Sequence, residues 1–373
     1  MTGPYPGGGT IYAMTEIATR GVVFRGPGQA ARIEALVLAD PGRSEVLVRM
    51  AAAGVCHSDL HVVDGEWDRP AGVVLGHEGA GWVERIGEDV RGLEAGDLVV
   101  LAWTAPCGRC APCERGEPWL CATPDGAGHR LSPELQRLHR PTGEPIGAYS
   151  GIGTFGEHQV VARSAAVKVD PRTPPEVAAL IGCAVTTGIG AVRNTADVKA
   201  GESVTVIGVG GVGLSAIMGA AAAGAHPITA IDRSPAKLEL AVRAGAHRTL
   251  LAEEAMQAAG SDQAFECIGL SQTAELAIDL VRPGGTVTLV GMTPQGHRAS
   301  FDVYRLVEDG KRIIGSNYGS AVPARDFPRI ATEYVEGRLP LDLLITERIG
   351  LDQLDDAFAA MRRGDGARRV IVY

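Results

Sequence analysis

The sequence predicts an α/β protein in two parts, a mainly β part and a doubly wound parallel sheet, and three observations carry that reading. From about residue 21 to 169 the apolar runs are short and irregular, as in Glu45-Val46-Leu47-Val48-Arg49 and Asp97-Leu98-Val99-Val100-Leu101, with glycines between them. That is a pattern of strands and tight turns. From Ser203 short apolar runs alternate with helical periodicity, which argues for parallel strands covered by helices on both faces. The first crossover carries Gly208-Val209-Gly210-Gly211-Val212-Gly213 between an apolar strand and an alanine-rich helix.

Taken in order, the second part offers strands at 204–209, 227–231, 248–251, 264–268, 286–290 and 312–315, with helices at 235–244 and 273–281. Residues 351–363 then read as a helix and 369–373 as a closing strand. At 373 residues the chain is long enough for two cores. A formal net charge of −9, with basic residues scattered along the chain, argues against a nucleic-acid surface. Residues 203–225 carry no charge and are long enough to cross a bilayer, but their strand, glycine turn and alanine helix read as buried core, so no membrane association is expected. Residues 1–13, rich in glycine and proline, read as a disordered tail or as a segment ahead of a start at Met14. No basic region followed by an apolar core opens the chain, which predicts a cytoplasmic protein with reduced thiols.

The thiols matter because Cys107, Cys110, Cys113 and Cys121 fall at C-x2-C-x2-C-x7-C spacing. Thiolates are soft ligands that suit tetrahedral zinc, and two-residue gaps let one loop turn successive sulfurs toward a single ion. Four protein ligands leave no position for substrate, so this zinc is read as structural. A pair of disulfides is the alternative and needs an oxidising compartment. The glycine turn, meanwhile, is a G-x-G-x-x-G in the strand–turn–helix context of a Rossmann nucleotide site. Gly208, Gly210 and Gly213 permit a tight turn, close approach to a pyrophosphate and close helix packing, and the helix start at Gly211 and Val212 attracts negative charge. Asp232 ends the next strand, where a carboxylate accepts hydrogen bonds from the adenosine ribose. It favours NAD over NADP, whose 2′-phosphate meets a like charge, while the adjacent Arg233 softens that exclusion. A glycine turn with no ligand is the plain alternative.

Three further motifs each supply one soft or borderline ligand: Cys56-His57-Ser58-Asp59-Leu60-His61, Gly76-His77-Glu78-Gly79-Ala80-Gly81 and Gly182-Cys183-Ala184-Val185-Thr186-Thr187-Gly188. Two cysteines, one histidine and an open fourth position form a catalytic-zinc ligand set. Taken singly, Cys183 reads as a small buried hydrophobe and His77 as a hydrogen-bonded loop residue. Together with the nucleotide turn, they make a chain that resembles the zinc-dependent alcohol dehydrogenases of the medium-chain dehydrogenase/reductase superfamily, from about residue 21 to 373. The resemblance implies a GroES-like catalytic domain over 14–184, a Rossmann domain over 185–320 and a return to the catalytic domain over 321–373. It places a catalytic zinc on Cys56, His77 and Cys183, with Glu78 behind the metal and Asp59 orienting His77, and a structural zinc on the four clustered cysteines. Ser58 and His61 match a proton relay. Asp232, Arg233 and Lys237 fall at the adenosine ribose, and His57, Thr187 and Arg368 at the rest of the cofactor. Trp103 matches an aromatic wall of the substrate pocket, and Trp67 lies in a loop that either reaches the same cleft or anchors to the surface. The length from Cys121 to Cys183 resembles the branch found as dimers, so a homo-oligomer is implied, a dimer rather than a tetramer.

The activity so implied is reversible NAD-linked oxidation of a small-molecule alcohol. Zinc acts on the hydroxyl as a Lewis acid, the proton leaves by way of Ser58 and His61, and the nicotinamide takes the hydride. Two departures bear on the substrate. The family's glutathione-dependent formaldehyde branch holds an arginine four residues after the last structural cysteine to grip a carboxylate, where this chain has Asp125. His57 stands where some members carry arginine against the pyrophosphate. With Trp103, Trp67 and the small Ser58, the pocket is read as roomy and aromatic, suited to aryl or medium-chain primary alcohols. Reduction of a C=C or iminium group with NAD(P)H is the first alternative, and a non-catalytic nucleotide-binding protein the second. Cys267 is read as a strand residue, not a ligand.

Overall fold

The computed structural model describes residues 16–30, 32–122 and 136–373; the 1–13 tail and Asp125 lie outside them. The short N-terminal runs form a small closed barrel from Ile17–Phe24, Arg32–Leu38, Leu138–His139, Pro145–Ala148 and Val73–Val74. Its Val23, Leu36, Leu38 and Val74 bury against Leu47 of a second sheet. That sheet runs in the order Ala166–Lys168, Leu98–Leu101, Glu78–Ile86, Glu45–Val55, Arg368–Val372, Ile345–Ile349, with His158–Ala162 also paired to Glu45–Val55. The closing strand lies antiparallel to Glu45–Val55 with Arg369 opposite Val55. Arg368 is thereby carried beside Cys56.

The alternating half folds into six parallel strands in the order Arg248–Leu251, Ile228–Asp232, Val204–Ile207, Ser261–Glu266, Val281–Leu289, Arg312–Gly315. The order reverses between Val204–Ile207 and Ser261–Glu266. In an open α/β sheet that reversal makes a crevice at the carboxyl ends of the strands, where ligands bind. Residues 203–225 enter this sheet as a strand and the helix Gly211–Ala222, whose Leu214, Ala216, Ile217 and Met218 are buried. A second apolar helical stretch, Pro175–Thr195, is 21 residues long and its most apolar window is 83% buried. Its length suits a membrane, but its place is the core between the two sheets' helices and strands, with Val177 to Ile181 fully covered.

Two readings of the sequence need correction. The strand expected at 264–268 ends at Glu266, so Cys267 lies one residue beyond it. The cause is Glu266 itself, whose Oε1 accepts the amides of Ile268 and Gly269 at 2.9 Å and turns the chain out of the sheet. The strand expected at 286–290 starts earlier, at Val281, because Pro283-Gly284-Gly285 is absorbed as an irregularity in the pairing instead of ending it.

Candidate active site

Cys56 is the N-cap of the helix His57–Val63, and the third helical residue, Asp59, accepts the Cys56 amide on Oδ2 at 3.2 Å. The other carboxylate oxygen, Oδ1, accepts from His77 Nδ1 at 2.9 Å. One buried carboxylate thus ties the loop that carries Cys56 to the histidine that opens the strand Glu78–Ile86. Gly76, before that histidine, has φ +91°, and a side chain there would meet the Phe155 amide nitrogen at 2.7 Å. With Nδ1 engaged, His77 turns its buried Nε2 toward the cluster, and that nitrogen has no hydrogen-bond partner.

Cys183 comes from a third direction, on a π-type turn at Ile181–Val185 inside the Pro175–Thr195 helix. Such wide turns are frequent at functional sites. The ligand atoms of Cys56, His77, Glu78 and Cys183 all lie within 4.8 Å of one another, and all four residues are buried. Two sulfurs and an unpartnered imidazole nitrogen in a space closed to water fit zinc in kind and number. Glu78 stands behind them. Its Oε1 accepts the Ala184 amide at 3.2 Å, and Arg368 Nε lies 3.6 Å from its Oε2. The Arg368 guanidinium also reaches Cys56 Sγ, at 3.7 Å.

The charges follow from these contacts. A hydrogen bond from Cys183 holds Cys56 well below the usual thiol range, and the same contact, helped by burial, pushes Cys183 up. Burial pushes Glu78 up to about 8 against the pull of Arg368. Burial lowers His57 against the pull of Cys56, and Arg368 adds to the lowering.

Ser58 Oγ lies 3.8 Å from Cys56 Sγ. His61, one turn further along, hydrogen-bonds Glu66 through Nδ1 and stacks on Trp67 at 4.8 Å between ring centres. Trp67 is only 6% exposed, and its indole N–H donates to Thr293 O at 3.3 Å. It is therefore no surface anchor. It joins the loop after the first helix to a loop beyond the parallel sheet. Trp103 packs 4.5 Å from the Tyr318 ring, whose hydroxyl donates to Gly182 O at 2.5 Å, next to Cys183. Tyr149 meets His77 edge-on at 5.7 Å. Tyr149, Tyr318 and Glu66 are neighbours of the site that sequence reasoning missed. The only local signals were the turns Tyr149-Ser150-Gly151 and Tyr318-Gly319-Ser320, where Ser150 and Tyr318 take positive φ of 53° and 54°.

The second cluster brings the sulfurs of Cys107, Cys110, Cys113 and Cys121 within 4.8 Å of one another. The Cys110 and Cys121 sulfurs stand 3.8 Å apart, beyond bonding distance. The amide of Cys107 points at Cys121 Sγ at 3.3 Å, and that of Arg109 at Cys107 Sγ at 3.5 Å. Amides of Ala122 and Cys113 hold Cys110 below the usual thiol range, while burial pushes Cys113 up to about 12. Four convergent sulfurs steadied by amides fit a closed tetrahedral zinc.

At the switch point Gly208 has φ +90°, and a side chain on Gly213 would lie 1.8 Å from Gly208 O, while the same position on Gly210 is open. The turn is a backbone cradle with room only above Gly210. A side chain on Gly211 would strike the Arg368 guanidinium at 2.6 Å, so that arginine sits against both the helix start and the metal-ligand cluster. Asp232 is fixed by the Val209 amide on Oδ2 at 2.7 Å and the Ser234 amide on Oδ1 at 2.9 Å. Lys237 is half-buried nearby and Arg233 is exposed. Thr187 lies in Thr186–Gly190, beside Gly188, where a side chain would meet Val212 O at 2.3 Å.

Residues 42–171 match the family model described as alcohol dehydrogenase GroES-like domain, and residues 211–336 match zinc-binding dehydrogenase. An S-(hydroxymethyl)glutathione dehydrogenase of Photobacterium damsela subsp. piscicida is 37% identical over 372 residues, covering 95% of this chain and 100% of the relative. One from Escherichia coli O1:K1 / APEC is 36% identical over 370 residues, with the same coverage. Among solved structures, an alcohol dehydrogenase zinc-binding domain protein from Burkholderia ambifaria superposes with TM-score 0.92 at 34% identity, over 96% of this chain and 99% of that one. Benzyl alcohol dehydrogenase from Acinetobacter calcoaceticus gives 0.89 at 30% identity, over 95% and 99%.

Proposed function

The chain belongs to the zinc-dependent alcohol dehydrogenases of the medium-chain dehydrogenase/reductase superfamily, and on that premise we propose that it interconverts aryl or medium-chain primary alcohols and their aldehydes with NAD. The observation that carries the substrate class is the ring cluster around the ligand set. Tyr149 packs on His77, and Trp103 packs on Tyr318, whose hydroxyl holds the carbonyl beside Cys183. Flat apolar walls next to a few placed polar groups suit an aromatic alcohol.

In this reading Cys56, His77 and Cys183 hold the catalytic zinc, and Cys107, Cys110, Cys113 and Cys121 the structural one. Bound there, zinc supplies Lewis acidity toward the substrate oxygen and NAD the hydride acceptor. Asp59 keeps His77 in the tautomer that presents Nε2. Ser58 accepts the hydroxyl proton, and His61, backed by Glu66, hands it to solvent. Arg368 and the Gly208–Gly213 turn receive the pyrophosphate, with His57 and Thr187 beside them. Asp232 and Lys237 take the adenosine ribose, and the exposure of Arg233 leaves the carboxylate of Asp232 to select NAD. Residues 14–184 with 321–373 act as the catalytic domain and 185–320 as the nucleotide domain, in a homodimer working in the reducing cytoplasm.

The test is NADH formation by zinc-loaded protein with benzyl, cinnamyl, hexyl and ethyl alcohols, with S-(hydroxymethyl)glutathione as comparison because the curated relatives carry that name. Fastest turnover of the aryl alcohols with NAD is expected. Dominant turnover of the glutathione adduct, or none of any alcohol, overturns the substrate reading.

A further inference from the structure

We infer that Arg69 makes the mouth of this cleft a recognition site for an anionic group, so that the preferred substrate is an aryl alcohol or aldehyde bearing a carboxylate. The inference rests on the dehydrogenase reading above. Arg69 follows Trp67 in the loop after the helix His57–Val63, and its guanidinium carbon lies 6.0 Å from the centre of the Trp67 ring. That is the ring stacked on His61. The cation therefore stands on the ring that flanks the His61 end of the site.

It stands there without a counterion. Its Nη1 donates to the backbone carbonyl of Asp68 at 2.7 Å, its Nε is buried with no hydrogen-bond partner, and among the described residues it forms no ion pair. The acids nearest the site are engaged elsewhere: Glu66 with His61, Asp59 with His77 and the Cys56 amide, Glu78 with Arg368 and the Ala184 amide. A guanidinium with a buried, unused donor is costly to keep. Its planar fork beside an aromatic face is matched by a carboxylate, which takes two N–H donors at once. An aromatic ring carrying its hydroxymethyl group at one end and the carboxylate at the other satisfies the metal side and Arg69 together.

The experiment compares 4-(hydroxymethyl)benzoate, its uncharged methyl ester and benzyl alcohol with NAD and zinc-loaded enzyme. Wild type is expected to prefer the carboxylate over the ester in kcat/KM. Arg69→Gln should lower that ratio by about tenfold to a hundredfold, the range a charge-assisted hydrogen bond gives, chiefly through KM. Arg69→Lys should keep part of it. Equal use of carboxylate and ester by wild type overturns the inference even if Arg69→Gln does not fold, and so does an Arg69→Gln ratio equal to that of wild type. Turnover of benzyl alcohol without a carboxylate preference refutes Arg69 alone. Failure on all three compounds instead refutes the dehydrogenase reading beneath it.

Discussion

Asp59 is fully buried and spends one carboxylate oxygen on the Cys56 amide and the other on His77 Nδ1. It holds two of the proposed zinc ligands without being one. Replacing it by asparagine removes the charge that fixes the imidazole and turns an amide N–H toward one of two donors. Partners of this kind sustain metal affinity by about 10- to 100-fold. Asp59→Asn is therefore expected to lose zinc from the Cys56 cluster and turnover in parallel, while keeping the ion on the four clustered cysteines. Metal counted by mass spectrometry checks this: two ions per chain retained by the variant would sink it. The residues that gather in the two clusters were legible because thiols and imidazoles in short glycine-flanked motifs carry their chemistry in their identity. Tyr318 was not, because its hydroxyl meets Gly182 across 136 residues of chain and a tyrosine in a loop announces nothing about its partner. Glu66 was hidden for a different reason, since an exposed acid beside a helix end reads as ordinary surface until His61 is seen to turn back onto it.

At the scale of an element, the strand Val204–Ile207, its turn and the helix Gly211–Ala222 are held by backbone meeting backbone. A methyl group on Gly213 would sit 1.8 Å from Gly208 O, which has no flexible side chain to give way. Gly213→Ala is expected to lower stability by about 1–3 kcal/mol through overpacking and to weaken NAD binding, read by thermal melting and by NADH fluorescence titration. A variant with unchanged melting and affinity would show that the turn has slack. The next strand is clamped at its start by Asp262, which accepts from the Ser203 amide at 2.8 Å, Ser203 Oγ at 2.6 Å and Arg282 Nε at 2.7 Å. The Ser203 bonds, with Arg282, hold its pKa down at about 2, against an ordinary 3.8. A lowered carboxylate stabilises the fold fully above its unfolded value and loses that contribution as pH falls from about 4 to about 2. Asp262→Asn should thus unfold with a flatter acid dependence in that window, by about 1 kcal/mol after allowing for solvent screening. Acid titrations of stability that superpose for the two proteins would rule the clamp out. Element identity was legible here from alternation and glycine spacing, whereas the end of the strand at Glu266 was not, because it depends on where one carboxylate collects two amides.

The whole molecule brings its last strand, Arg368–Val372, back to Glu45–Val55, an arrangement that local periodicity does not reveal and that only the family resemblance anticipated. That the second half makes a parallel sheet covered by helices was legible from the alternation of strands and helices, whereas the order of its six strands came from the structure. That sheet ends at Arg312–Gly315, which among the described residues pairs on one side only, with Val281–Leu289. Its other edge presents free N–H and C=O groups, a template for another strand. In the segment that leads into this strand Phe301, Val303, Tyr304 and Val307 are 47%, 63%, 71% and 74% exposed, apolar side chains that a soluble surface does not ordinarily gather. A two-fold axis past this edge would set two copies of the strand antiparallel and cover both apolar rows with one self-complementary contact. The proposed homodimer is therefore expected to form here, on the nucleotide half and away from the ring cluster. Light scattering should give two chains for wild type and one for the double variant Val303→Asp, Val307→Asp, because buried like charges facing each other across the axis cannot be solvated. A double variant that stays dimeric would move the interface elsewhere, and a wild-type monomer at all concentrations would remove the homodimer itself.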